Sequence, residues 1–534
     1  MSAFLPFLAY VVCFAFAPLV YVTAKTVSRA KLKDRTFVKT LTKDYLRTLP
    51  VVALVALPVL ACPAILRPYA VVLHLVFGLP LTMEMGHVQV YGTRVGINTF
   101  YSLFVSNVRE TREFFAQNVT PWQRTAILAT WLLPPVALAF LPVPVWPSAA
   151  AQGVGCGIAA LMAMPFVRNL FKGERGKDGY ILNPYSNLIV NYFRFKVLYR
   201  ELKTQIARHA APPFEGVVSG LPKDEPETYV IVIGESSNAM HQAYCGYPRA
   251  TNEFTDAFGD RLMRFKGVRS PFAQTIPSLE KTITFADKAH PELVWSKGSL
   301  VDYFHDAGFE VYWLSNQYAL DDTAITAMTA HADISKCYNF SGMKRFEKAG
   351  LDEALLPEFA KYIRGGAKKK AVFLHLIGSH SAYVNRYPDN FRHFEGQVPG
   401  RTLPEAKLRF LNAYDDSVRY TDWVIAELVR SLSAIGGASY LLYFADHGED
   451  IYDSTDERIL GHSQLANEPM TSVPLMLWTS PRLDELRADI RARYAGGKRA
   501  AYGLEDLIHT VLDVSSLTNS DYEPMKSVFN TPAI

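Results

Sequence analysis

The feature that most constrains this chain is the concentration of its apolar residues before residue 170. Five apolar stretches there are each near the length that a bilayer-spanning helix needs, and they cover residues 4–22, 49–66, 69–83, 126–146 and 149–167. The first could instead be a cleaved signal peptide, but it lacks a basic leading region and four more apolar stretches follow it. We therefore predict a five-helix transmembrane domain over residues 1–170.

The rest of the 534-residue chain reads as water-soluble. After residue 223, amphipathic stretches alternate with short β-rich runs, which cover residues 229–234, 310–314, 371–376, 440–445 and 473–478. This alternation is typical of an α/β sandwich. Between the two parts, residues 171–222 contain an aromatic and basic segment and then a proline-rich one, which predict an interfacial helix and a linker.

Charge and cysteine content exclude several classes of protein. The formal charge of +4 comes from 55 basic and 51 acidic residues, an excess too small to indicate nucleic-acid binding. The five cysteines have no zinc-finger spacing, and three of them lie in apolar stretches. A dense disulfide framework is therefore excluded, and at most Cys245 and Cys337 could pair.

Two basic stretches, at residues 25–47 and 168–177, complicate the topology. The positive-inside rule would place both in the cytoplasm, and with five spans the soluble domain would follow them. The third and fifth apolar stretches are marginal as spans. The opposite orientation results if one of them does not cross, or if the basic stretches bind anionic lipid head groups. The charge pattern leaves this choice open.

A polar stripe is predicted between the third and fourth apolar stretches. Ser102, Ser106 and Glu110 recur every four residues, so they share one face if residues 98–118 form a helix. Such a stripe could bind the amine and phosphate of a lipid, although the solvated face of an interfacial helix explains it equally well.

Polar clusters follow four of the β-rich runs: Glu235-Ser236-Ser237, Ser315-Asn316-Gln317, Gly378-Ser379-His380 and Asp446-His447-Gly448-Glu449. In open α/β sheets, functional sites form at the carboxyl ends of strands, so these clusters are expected to converge. Glu235, Asp446 and His447 offer the oxygen and nitrogen ligands that zinc accepts. Thr275 could complete the set, because a metal-bound hydroxyl deprotonates readily and becomes a nucleophile.

Two histidines lie beyond this set, each in a loop flanked by glycine and serine. His380 and His462 could bind phosphoryl oxygens, protonate a leaving alkoxide or hold a second metal. Asn316 and Gln317 are further candidates for binding the substrate.

Several motifs together resemble a known family. They are Gly234-Glu235-Ser236, Gly246-Tyr247-Pro248-Arg249, Gln274-Thr275-Ile276-Pro277-Ser278-Leu279, Gly378-Ser379-His380, Asp446-His447-Gly448-Glu449 and Gly461-His462. In order and spacing they resemble the phosphoethanolamine transferases that modify bacterial lipopolysaccharide, members of the sulfatase and alkaline-phosphatase-like superfamily. The similarity covers the soluble half closely and the membrane half in outline.

This resemblance implies roles for the candidate residues. One zinc ion is expected, with a second left open, and its implied ligands are Glu235, Thr275, Asp446 and His447. Thr275 would carry a phosphoethanolamine intermediate, and His380 and His462 would contact the transferred group. The helix bearing Glu110 would correspond to the lipid donor site.

The resemblance also implies the partners and the location. Thr275 would take phosphoethanolamine from phosphatidylethanolamine and pass it to lipopolysaccharide or another periplasmic glycan. The chain would be a monomer in the bacterial inner membrane with its catalytic domain in the periplasm. The positive-inside rule with five spans would instead place that domain in the cytoplasm. Pro271 and Lys281 stand where lipid A transferases have a cysteine pair, which points weakly to the subgroup that acts on core sugars.

Other functions fit the same residue types. A sulfatase would need an arginine in its nucleophile motif, which residues 275–279 lack. A glycerol-phosphate transferase is the enzymatic alternative, since it shares the threonine and the five spans; other sulfatase-like membrane hydrolases are related to it. An inactive membrane scaffold would be expected to have lost at least one residue of the site. The sequence keeps all six of them: Glu235, Thr275, His380, Asp446, His447 and His462.

Overall fold

The computed structural model describes residues 22, 35–65, 68, 72, 80, 82–89, 94–97, 99–100, 121–125, 128–129, 132, 145–171, 187–208, 213–317, 324–338, 350–454, 466–495 and 501–530. The chain divides into two compact units. One comprises Met1–Asn107 and Phe114–Arg200, and the other comprises Val108–Glu113 and Glu201–Ile534. The second unit contains the candidate site.

The described helices of the first part of the chain are α1 (Arg35–Ala61), α2 (Ala149–Phe171) and α3 (Asn187–Arg208). The last carbonyls of a helix need partners from outside it. Trp146 donates from Nε1 to the Leu60 carbonyl at 2.9 Å, and Gln152 donates to the Ala61 carbonyl at 2.7 Å. These side chains therefore cap the end of α1.

Helix α3 lies within the range predicted as interfacial helix and linker. Its first turn is tied down by the buried Asn187 amide, which donates to both Glu84 carboxylate oxygens and to the Val95 carbonyl. Phe193 and Val197 are 60% and 52% exposed. Exposed apolar side chains agree with an interfacial helix, whose location at a membrane stays a prediction.

Among the described residues, no helix combines the length and apolar character that a membrane crossing requires. Most of three predicted spans, 4–22, 69–83 and 126–146, lies outside those residues.

Within the described residues of the second unit, seven strands form one sheet. They are β1 (Glu227–Gly234), β2 (Leu262–Phe265), β3 (Glu310–Ser315), β4 (Ile334–Cys337), β5 (Lys369–His375), β6 (Ala438–Ala445) and β7 (Leu475–Thr479). Their order is β2-β7-β6-β1-β5-β3-β4. From β6 to β4 the neighbours are parallel, whereas β7 is antiparallel to both β6 and β2.

Central strand β1 is buried along its whole length, as expected for a parallel strand covered on both faces. On one face, Val230 and Val232 pack with α6 (Leu355–Ile363) and α7 (Glu405–Ser433). On the other, Tyr229 contacts Phe304 of α5 (Leu300–Asp306). The result is the predicted α/β sandwich.

The remaining helices of this unit include α4 (Thr275–Thr282) and α8 (Leu507–Val514). The others span Glu253–Asp256, Leu293–Ser296, Ala324–Met328, Glu468–Thr471, Pro481–Leu486 and Ala488–Ala495. Two small ladders pair Val218–Ser219 with Leu517–Thr518, and Val268–Arg269 with Tyr502–Gly503.

All five predicted β-rich runs are strands of the sheet, with ends shifted by one or two residues. The sequence analysis missed β2 and β4, which are four residues long and lie at the two edges of the sheet.

Candidate metal centre and nucleophile

The candidate site begins at the carboxyl ends of two neighbouring parallel strands. Gly234, the last residue of β1, pairs with Ala445, the last residue of β6. Glu235 therefore emerges beside Asp446 and His447, and one ligand atom from each lies within 4.8 Å of the others. All three side chains are buried. The convergence expected from sheet topology is thus present.

A hydrogen bond orients the imidazole of His447. Its Nδ1 lies 2.9 Å from the Gly448 carbonyl oxygen, which can only accept, so Nδ1 carries a proton. Nε2 then points toward the carboxylates, 3.2 Å from Glu235 Oε1 and 3.6 Å from Asp446 Oδ2. A histidine held through one nitrogen, with the other directed at carboxylates, is the usual arrangement of a metal ligand.

Thr275 is the first residue of α4 and is half-buried. Its hydroxyl donates to Glu235 Oε2 at 3.1 Å and lies 3.5 Å from His447 Nε2. A helix N-terminus favours negative charge, which agrees with the role of nucleophile predicted for Thr275.

These residues fit a divalent cation. Asp446 Oδ2 is buried and accepts no hydrogen bond from any residue that the structure describes. Unpartnered buried carboxylate oxygens are costly, and a metal ion is a common partner for them. Two carboxylates, an imidazole and a hydroxyl form a donor set that zinc accepts.

The electrostatics of the metal-free site support this fit. Burial, together with the charge of Glu235, raises the pKa of Asp446 to about 8. Burial opposes the charge on His447, but Asp446 and Glu235 outweigh it and raise the pKa of His447 to about 10. Burial also opposes the charge on Glu235, yet His447 holds its pKa below the usual range. Protons on Asp446 and His447 therefore provide the compensation that a cation would supply.

Two further side chains fix Glu235. Ser236 donates from Oγ to Glu235 Oε1 at 2.7 Å, and its left-handed backbone (φ 56°) directs its N–H to Asp446 Oδ1 at 3.1 Å. Gln317, predicted to bind the substrate, donates from Nε2 to Glu235 Oε2 at 3.1 Å and to the Leu376 carbonyl at 2.7 Å. In this structure Gln317 orients the Glu235 carboxylate, and its contact with a substrate stays a prediction.

Asn316 contacts a buried carboxylate. Its amide donates to Asp352 Oδ1 at 2.8 Å, and Asp352 also accepts from the N–H groups of Ile377 and Gly378, both at 2.9 Å. Asp352 thereby fixes the turn that carries His380. Substrate binding by Asn316 stays a prediction.

His380 follows β5 and is half-buried. Its charge lowers the pKa of Glu235, as expected for an imidazole close to the centre. Arg386 donates from Nε to the His380 carbonyl at 3.0 Å and so holds this turn. His462, Ser102, Ser106 and Glu110 lie outside the described residues.

The sequence did not indicate a role for Ser270 and Ser278, whose hydroxyl oxygens lie 2.5 and 2.7 Å from the Asp446 carbonyl oxygen. The sequence shows that Ser278 lies one helical turn after the candidate nucleophile, but it does not indicate that the Asp446 carbonyl is its partner. No disulfide joins Cys245 and Cys337, the pairing that the sequence left open. The Cys337 thiol instead donates to the Gln317 carbonyl at 2.9 Å.

Known proteins share this sequence pattern. The sulfatase family model matches residues 227–517. Phosphoethanolamine transferase EptC of Escherichia coli (strain K12) is 26% identical over 500 residues, which cover 89% of this chain and 84% of EptC.

Solved structures agree. The C-terminal periplasmic domain of E. coli EptC, crystallised in complex with Zn, is 31% identical with a TM-score of 0.56, and the match covers 60% of this chain and 91% of that one. The integral membrane protein lipooligosaccharide phosphoethanolamine transferase A from Neisseria meningitidis matches 97% of each chain with a TM-score of 0.68. At 20% identity, that second match shows similarity of fold.

The residues that the family model matches include Glu235, Thr275, Asp446 and His447. This chain belongs to the sulfatase family, in the group that contains the phosphoethanolamine transferases.

Proposed function

We propose that this protein transfers phosphoethanolamine from phosphatidylethanolamine to a lipopolysaccharide acceptor, through a phosphothreonine intermediate at a zinc site. The observation that carries the proposal is the Thr275 hydroxyl, 3.1 Å from Glu235 Oε2 at the edge of a buried carboxylate and histidine centre. Membership in the phosphoethanolamine transferase group supports the choice of transferred group.

The residues that would hold zinc are Glu235, Thr275, Asp446 and His447. When bound, zinc would lower the pKa of the threonine hydroxyl and stabilise negative charge on the phosphoryl oxygens. A Zn complex of the solved EptC domain supports the choice of metal, and a second zinc is left open.

The two chemical steps follow from the position of Thr275. Its hydroxyl proton leaves to solvent, Oγ1 bonds to the phosphorus of phosphatidylethanolamine, and the bond from phosphorus to the diacylglycerol oxygen breaks. That oxygen takes a proton from His380 or His462. An acceptor hydroxyl oxygen then bonds to the same phosphorus, and the bond from phosphorus to Thr275 Oγ1 breaks. The proton of the acceptor hydroxyl restores the histidine that protonated diacylglycerol, and Thr275 Oγ1 regains its proton from solvent.

The proposed organisation keeps residues 1–170 as a five-span transmembrane domain with an interfacial helix near 98–118, residues 171–222 as interfacial helix and linker, and residues 223–534 as the catalytic domain. Exposed apolar side chains of α2, among them Val154, Leu161 and Met164, support a lipid-facing helix. We place the chain in the inner membrane with the catalytic domain in the periplasm, where lipid head groups and lipopolysaccharide meet.

The substrates and assembly complete the proposal. Ser102, Ser106 and Glu110 would bind the donor head group, and Asn316, Gln317, His380 and His462 would line the path of the transferred group. The acceptor is a core sugar, a lipid A phosphate or another periplasmic glycan, and the enzyme acts as a monomer.

The test uses the full-length protein in mixed micelles with lipopolysaccharide and either head-group-labelled phosphatidylethanolamine or labelled phosphatidylglycerol. We expect transfer from phosphatidylethanolamine alone. Thr275→Ala should lower the rate at least ~10³-fold, whereas Thr275→Ser keeps a hydroxyl and should retain measurable transfer. Preferential transfer from phosphatidylglycerol would instead indicate a glycerol-phosphate transferase.

A further inference from the structure

Two serines that bracket Thr275 in sequence meet on the backbone of a metal ligand. Ser270 lies five residues before Thr275, and Ser278 lies one helical turn after it in α4. Their hydroxyls contact each other, and both approach the carbonyl oxygen of Asp446, at 2.5 Å and 2.7 Å. We call this arrangement the serine clamp.

The protons of the clamp can be counted. Each serine hydroxyl has one proton to donate. The acceptors in reach are the carbonyl oxygens of Asp446 and Phe272, the latter 2.6 Å from Ser270 Oγ and 3.4 Å from Ser278 Oγ. One hydroxyl therefore donates to Asp446 while the other donates to Phe272 or to its partner serine. If one serine is removed, the remaining hydroxyl can still reach the Asp446 carbonyl.

The clamp acts on the backbone of a residue whose side chain is already fixed. Asp446 Oδ1 accepts from the N–H groups of Ser236 and His447, at 3.1 and 2.7 Å, and the Asp446 N–H donates to the Gly234 carbonyl at 3.0 Å. These contacts hold Asp446 to the strand ends. The serine hydroxyls are the contacts that join it to the segment carrying the nucleophile.

Both serines are buried, so water does not compete for their hydrogen bonds. The Ser270 N–H is also held, 2.8 Å from the Thr471 carbonyl, which secures the start of the nucleophile segment. The distance between Thr275 and the carboxylates depends on how α4 packs against residue 446, and the serine clamp joins the two.

We infer that Ser270 and Ser278 are positioning residues that keep the Thr275 hydroxyl in register with the metal ligands. This inference rests on the proposed function. A reacting atom displaced by about 1 Å costs on the order of a hundredfold in rate, and loss of a group that orients metal ligands costs roughly 10- to 100-fold in metal affinity.

The experiment compares full-length Ser270→Ala, Ser278→Ala and the double variant with Thr282→Val. Thr282 is a matched control because it is buried in the same helix and donates to the Ser278 carbonyl at 2.8 Å, away from Asp446. Three quantities are measured: the zinc dissociation constant by chelator competition, the rate of Thr275 phosphorylation from phosphatidylethanolamine, and the unfolding midpoint of metal-free protein.

The double variant should weaken zinc binding about tenfold and slow phosphorylation about 100-fold, while each single variant changes either quantity less than about 1.5-fold. Thr282→Val should lower the unfolding midpoint comparably but leave zinc affinity and phosphorylation near wild type. The inference would be overturned if the losses of zinc affinity and phosphorylation rate in the double variant equalled the product of the losses in the two single variants. It would also be overturned if they equalled the losses in Thr282→Val.

If the double variant does not fold, Ser278→Cys replaces it, because a thiol is a weak donor of similar size. In the Ser270→Ala protein, zinc affinity should be highest with serine at position 278, lower with cysteine and lowest with alanine. Equal zinc affinity in all three proteins would overturn the inference. If wild type forms no phosphothreonine while zinc affinity still follows this order, the proposed function fails and the clamp stands.

Discussion

Gln317→Met tests whether Gln317 orients the metal ligand or binds the substrate. Methionine has a similar length but no amide, so the change removes the hydrogen bonds to Glu235 Oε2 and to the Leu376 carbonyl. A hydrogen bond to a charged group contributes roughly 1.5–3 kcal/mol, which corresponds to about 10- to 100-fold in affinity. Zinc binding by the full-length variant should weaken by that factor.

Stability should fall as well, because the buried Leu376 carbonyl loses its amide donor, at a cost of about 1–3 kcal/mol. Gln242→Met is the matched control. Gln242 is also buried, and its side chain bonds the neutral side chains of Ser237 and Asn252. The control should lose similar stability in chemical denaturation and keep wild-type zinc affinity in chelator competition.

A Gln317→Met protein with unchanged zinc affinity would refute the ligand-orienting role. If its KM for phosphatidylethanolamine also rose, the substrate-binding role predicted from sequence would be correct instead.

Two pH-dependent predictions follow from the buried ionisable groups. Without zinc, the pKa values of Asp446 and His447 are about 8 and 10, so zinc must displace protons from both side chains. The zinc affinity measured by calorimetry should therefore fall at least about tenfold for each pH unit below pH 8. An affinity that does not change with pH would refute this prediction. Burial opposes the charge of His241, but Asp453 and Asp415 raise its pKa to about 10, above the ordinary 6.5. Its stabilising contribution is therefore complete below pH 6.5 and lost as pH rises through 10. His241→Gln should lower the free energy of unfolding by about 3–5 kcal/mol near pH 6, and a penalty that does not shrink toward pH 10 would contradict the ion-pair assignment.

The strands and the meeting of the ligands were predictable for a physical reason. Buried parallel strands consist of continuous apolar runs, and polar residues directly after such runs must gather at one edge of the sheet. Glu235 and the Asp446-His447 pair follow two neighbouring strands, so sequence position and topology place them together. Strands β2 and β4 were missed because each is four residues long and lies at an edge of the sheet.

The residues that orient the site were not predictable in the same way. Ser278 and Asp446 are 168 positions apart in sequence, and Gln317 and Glu235 are 82 apart. Their pairing depends on how α4 and the loop after β3 pack, for which neither residue carries a local signal. Gln317 was predicted to bind the substrate because it follows a strand, and nothing in the sequence indicated that its amide also contacts Glu235.

The most direct measurement of the central claim is mass spectrometry of full-length protein incubated with phosphatidylethanolamine without acceptor. The account predicts a phosphoethanolamine adduct on Thr275 that disappears when lipopolysaccharide is added and is absent from Thr275→Ala. An adduct that persists in Thr275→Ala, or one located on another residue, would contradict it.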